Sequence, residues 1–128
     1  KVPQARFVVE GFLDYTSARG VSFLRSALRV LENMDPKISG GNSEIDMMLG
    51  FRMLPSTIEA AASPLCPILA HASLFGTMML DKILETFDPS KPATLDKLLN
   101  SAPINKNLQV QVKMYAEDVA QNACLTSK

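Results

Sequence analysis

Between Ala60 and Leu80 the chain carries no formal charge, although acids and bases alternate every few residues on either side. Such a stretch has to be buried in the protein or in a membrane. A transmembrane helix needs about 20 mostly apolar residues, and this stretch qualifies by length alone. Pro64, Pro67, His71, Ser73, Gly76 and Thr77 interrupt it, leaving short apolar pieces at Ile68-Leu69, Leu74-Phe75 and Met78-Met79-Leu80. The expectation is a segment buried in the protein's own core, with no transmembrane span.

The rest of the composition is consistent with such a core. A chain of 128 residues fits one domain, residues 1–128, and can remove roughly two-thirds of its unfolded surface from water. At 47% hydrophobic and 20% charged, it has enough apolar matter to stay ordered. Thirteen bases balance thirteen acids and form no one-signed run, which argues against a nucleic-acid or anionic-membrane surface. Lys1-Val2-Pro3-Gln4 is followed by no apolar signal region. Either the protein is not exported or a signal has been removed. No Asn-x-Ser/Thr acceptor is present, which bears on neither alternative.

Two cysteines, Cys66 and Cys124, are compatible with one disulfide closing a loop of roughly 58 residues, worth about 4 kcal/mol by loop entropy. An even count in a small domain favours export, while two buried thiols in a reducing compartment are the alternative.

The dominant periodicity is helical. Val21, Leu24, Leu28 and Leu31 make one apolar face, and Ser22, Arg25, Ser26, Arg29, Glu32 and Asn33 lie opposite. This helix follows Gly20 and stops at Asp35-Pro36, since a residue before proline is driven out of helical backbone. Residues 35–42 then read as a loop. Upstream, Phe7, Val8, Phe12 and Tyr15 can share a helix side from about Gln4 to Ser17. Ser43 with Asp46 resembles an N-cap opening a helix through Ile45, Met48, Leu49 and Arg52, kinked or divided by Pro55 before Ile58–Ala62.

Pro67 suits the first turn of a central helix reaching Phe87, with Ile68, Ala72, Phe75, Met79 and Ile83 on one side. Thr94 caps a short helix from Leu95 to Asn100. Ile104, Leu108, Val112, Tyr115 and Val119 continue as a helix, although Leu108–Val112 alone alternates as a strand would; the longer pattern decides for helix. With no second strand to pair against, the expected fold is all-α: a compact cluster of five to seven short helices, with one disulfide.

No catalytic constellation emerges. His71 is the sole histidine, and no acid lies within a helical turn to orient it. The plainer role is a core or interface histidine bonded to backbone or to a ligand. One histidine and two distant cysteines do not make a metal site, so no metal and no cofactor is expected. Asp81 and Glu85 are one helical turn apart, but Lys82 beside them makes that surface charge. Gly40-Gly41 lacks the spacing of a phosphate loop. Of seven methionines, Met47-Met48, Met53 and Met78-Met79 cluster in mid-chain with Phe51 and Phe75. Flexible thioethers fit either a core or an irregular apolar binding surface.

Two short motifs resemble the secretoglobins, the uteroglobin-like family of small secreted helical proteins. Ser63-Pro64-Leu65-Cys66 is similar to the tail that closes many of those chains. Cys66-Pro67-Ile68-Leu69 is similar to their opening Cys-Pro followed by apolar residues. Two units in tandem would then meet at Cys66, giving pseudo-repeat halves 1–66 and 66–128, with Phe12-Leu13-Asp14-Tyr15-Thr16 near the end of an early helix. The first half lacks an opening cysteine, so one cysteine would serve as both tail and head. The resemblance implies a disulfide-linked helical shell around an apolar cavity holding a steroid-like or lipid ligand, without catalysis.

The resulting expectation is a secreted, non-enzymatic protein that shelters a small hydrophobic molecule. Phe12, Leu28, Phe51, Phe75, Met79 and Tyr115 would form the walls, and Tyr15, His71 or Tyr115 would supply polar specificity. The rival expectation is a structural or protein-interaction module that self-associates as a homodimer through its apolar central helix. An enzyme or enzyme inhibitor with no recognisable spacing is the third.

Overall fold

Two segments expected to be helical are strands. The computed structural model describes residues 5–40, 47–122 and Cys124, with side chains described over 8–40, 50–114 and at Cys124. β1 (Ala5–Leu13) and β2 (Met47–Pro55) pair in parallel, with Val9 beside Phe51, Gly11 beside Met53 and Leu13 beside Pro55. The all-α expectation is therefore overturned: the domain is mixed, a two-stranded parallel sheet with seven α-helices among the described residues.

The reason lies in local chemistry. Val8 and Val9 are β-branched, and the alternation of Val8, Glu10 and Phe12 against Val9, Gly11 and Leu13 has the two-residue period of a strand. In β2 the apolar run Met47-Met48-Leu49 and Phe51, Met53, Leu54 is near-continuous, as parallel strands are when helices cover them. Gly11 lies close to its register partner: a Cβ there would meet the Met53 sulfur at 3.0 Å. The predicted cap at Ser43 and Asp46, and Ile45 with it, lie outside the described residues.

Parallel strands need a long crossover, and α1 (Ala18–Met34) supplies it. The Ser17 side chain accepts a hydrogen bond from the Gly20 N–H, satisfying a donor left over at the helix start. At the far end Pro36 begins a short 3-10 helix, Pro36–Gly40, where the sequence reads as loop. Val21, Leu24, Leu28 and Leu31 are buried as expected. They face the 3-10 helix and α5 (Thr77–Thr86). Across that seam Arg25 Nε reaches Asp81 at 2.8 Å, and the Thr77 hydroxyl donates to Glu32 at 2.6 Å.

The uncharged stretch is the centre of the core, but it is not one helix. α2 (Ile58–Ala62), capped by Thr57, leads into α3 (Leu65–Ala70), every residue of which is buried. His71 separates α3 from α4 (Ala72–Phe75), and Gly76 separates α4 from α5. Gly76 holds φ at 80°, a left-handed value that glycine adopts without steric cost, and this ends the continuous helix expected from Pro67 to Phe87. α6 (Leu95–Leu99), capped by Thr94, and α7 (Lys106–Asn122) complete the chain, the latter resolving Leu108–Val112 as helix. Cys66 and Cys124 are joined by a disulfide, which pins α3 to the segment following α7.

Candidate functional site

The residues expected to wall a ligand cavity do not line one shared space. Tyr15, Leu28, Phe51 and Phe75 are at most 3% exposed and belong to the packed core, with Met79 half-buried against it. Phe12 points the other way, 67% exposed on the sheet. His71, half-buried between α3 and α4, has its Nδ1 2.9 Å from the Pro67 carbonyl oxygen. Tyr115 is on α7, and its side chain lies outside the described residues. A groove of about 350 Å³ lies instead between α1 and α5, where Arg25, Arg29 and Lys82 alternate with Glu32, Asp81 and Glu85. Leu28, Thr77 and Met78 complete its wall, and its six charged side chains balance, three basic against three acidic.

One buried polar atom stands out. The Tyr15 hydroxyl is fully buried and has no hydrogen-bond partner among the described residues. Burial, with the Asp14 charge next to it, pushes its pKa well above the ordinary phenol value, making it a weaker acid. Asp14 itself sits where β1 ends. It accepts from the Thr16 hydroxyl and N–H, and from the Thr57 hydroxyl at 3.5 Å, which holds its carboxyl below the usual carboxylate range. α1 starts hard against this turn: a Cβ on Gly20 would lie 1.6 Å from the Asp14 carbonyl oxygen, so only glycine fits. Among the described residues no three or more His, Cys, Asp or Glu groups come together to hold a metal ion, and no helix is long and apolar enough to cross a membrane.

The sheet presents the clearest unpartnered surface. A parallel sheet normally has both faces covered. Here one face looks into the core through Phe51 and Met53, while Val8 and Phe12 are 56% and 67% exposed on the other. Between them Glu10 lies beside its register partner Arg52, with 3.5 Å between carboxylate and guanidinium. Leu54, beside Phe12, is half-buried at the margin of this face.

The two edges of the sheet differ. At β2, the Phe51 N–H donates to the Ser73 hydroxyl at 2.7 Å, and that hydroxyl donates to the Phe51 carbonyl at 3.0 Å. A side chain from α4 thus fills the hydrogen-bonding position of a third strand. Because Phe51 turns away from β1, its partner Val9 turns towards β2, and strand alternation directs the backbone groups of Val8, Glu10 and Phe12 to the outer edge of β1. The Ser56 N–H donating to Leu13 at 2.9 Å fits the same phase. No described strand pairs with β1 on that side.

Reading the segment as a helix put Val8 and Phe12 on one helix side with Phe7 and Tyr15, and left Glu10 and Ser73 without a role. The available signal was the apolar–acid–apolar alternation Val8-Glu10-Phe12, which marks a strand wet on one face. A second exposed apolar row, Phe23, Val30 and Met34, follows the outer side of α1. No family model matches the chain, and no curated protein or solved structure matches it.

Proposed function

We propose that this is an exported, non-enzymatic interaction module whose working surface is the outer edge and face of β1. The observation that carries the reading is the pairing of an open strand edge with exposed Val8 and Phe12, on a sheet whose other edge is closed by Ser73. An edge strand adds affinity through main-chain hydrogen bonds and specificity through alternate side chains. A long apolar edge left open invites pairing with another chain, and proteins usually block it. The Cys66–Cys124 disulfide supports export, since such bonds persist in oxidising compartments.

A photoreactive side chain placed at position 12 and, separately, at position 82 tests this in the protein's natural setting. Crosslinks to a protein from position 12 and not from position 82 are expected. Equal yields, or none from position 12, would overturn the reading.

A second reading, the shelter for a small hydrophobic molecule that the secretoglobin resemblance implies, is favoured by the Tyr15 hydroxyl, buried without a partner among the described residues. A ligand's polar group reaching that hydroxyl would satisfy it. Native mass spectrometry of protein from its natural source, looking for an apolar mass released on unfolding, tests that reading.

A further inference from the structure

Resting on the interaction reading above, we infer that the occupant of the β1 edge is a second copy of this chain, its β1 antiparallel to the first with Val8 opposite Val8. The edge residues fix the register. Only the backbone groups of even-numbered positions in β1 face outward, so these positions must pair with one another.

Each register that remains sets different residues opposite one another. Centring on Glu10 puts Glu10 against Glu10, and centring on Arg6 puts Arg6 against Arg6. Like charges directly opposite are destabilising. Centring on Val9 sets Glu10 against Val8 and Arg6 against Phe12, opposing each charge with an apolar residue. Centring on Val8 sets Arg6 of each copy against Glu10 of the other, twice by symmetry, with the two valines between them. The interface is then isologous and closes as a two-fold dimer. The product is a four-stranded sheet in the order β2-β1-β1-β2, whose outermost edges are the two already closed by Ser73. At Phe51 of each outermost strand the Ser73 hydroxyl already occupies the position that a third copy would need.

Sedimentation velocity of the full chain over a range of concentrations tests the inference with three proteins: the natural sequence, E10R, and R6E/E10R. The natural chain should be a dimer. E10R places arginine against arginine at both ends of the interface and should weaken the dimer by about tenfold or more. The double variant restores opposite charges across the interface and should return to within about threefold of the original. Because R6E/E10R still leaves an arginine at position 10 beside Arg52, its recovery cannot come from contacts within one chain.

A monomeric natural chain would remove the second copy as occupant. Indifference to E10R, or failure of the double variant to recover, would overturn the register. Crosslinks from position 12 to a different protein, alongside a monomeric natural chain, would sink this inference and leave the interaction reading standing.

Discussion

The two edges of one small sheet are treated in opposite ways. β2 is hemmed in by α2, α3, α4 and the 3-10 helix, and a single hydroxyl on Ser73 satisfies both outward backbone groups of Phe51. β1, equal in length, has β2 as its one extensive neighbour and exposes two large apolar side chains. Under the proposed reading, the difference separates the part that holds the fold from the part that meets a partner. The closed side is fixed by core packing and a disulfide, so substitutions there should unfold the protein. The open side contributes little to the fold, so substitutions there should change association and leave the monomer intact.

The largest test of that contrast lies on the closed side. Replacing Cys66 and Cys124 together by alanine frees a loop spanning 58 positions and should cost about 4 kcal/mol by loop entropy. Urea denaturation measures it, and a loss no larger than that of a surface substitution would break the contrast. Next comes Ser73→Ala, which leaves the Phe51 N–H and carbonyl unpaired in a part-buried place. A cost of about 1–3 kcal/mol is expected, whereas Val8→Thr on the open edge should stay within about 0.5 kcal/mol when measured on dilute, dissociated protein. Equal effects of these two would show that the open edge also supports the fold.

The smallest expected effect concerns Asp14, at the turn that joins β1 to α1. Its folded pKa is lowered, first by the Thr16 hydroxyl, from an ordinary value of 3.8. The stabilisation is therefore present above that value and is lost as pH falls through the lowered one. Melting temperature measured between neutral and strongly acidic pH should fall less steeply below the ordinary carboxylate range for Asp14→Asn than for the natural chain.

The legibility of the fold followed the range of the interactions. α1 was readable because its apolar face repeats within the helix and Pro36 marks its end, both local signals; its start was expected after Gly20, whereas the Ser17 cap begins it at Ala18. The short helix capped by Thr94 was readable for the same reason, whereas the Thr57 cap of Ile58–Ala62 went unread and only Pro55 set that segment apart. The sheet was not, because Val9 and Phe51 are separated by all of α1 and no hairpin turn announces their pairing. Phe7, Val8, Phe12 and Tyr15 also satisfy a helical spacing, and a strand's partner is decided by the tertiary structure. Gly76 lies within the helix expected from Pro67 to Phe87, and its left-handed backbone, which residue type alone does not reveal, ends that helix. The expected binding residues were recognisably apolar, but residue type alone does not separate a wall from a core. Tyr15, Leu28, Phe51 and Phe75 went into the core, and of that set Phe12 reached the surface that distinguishes this protein.

The disulfide also draws a boundary that packing does not. Everything from Cys66 to Cys124 lies inside one covalent ring, while β1, α1 and β2 hang from it as a tail. A protease cutting the turn at Asp88-Pro89-Ser90 would leave both fragments tethered, separable only after reduction. A cut between β2 and Cys66 would instead free the strand that carries the exposed edge from any covalent link to the ringed helical remainder.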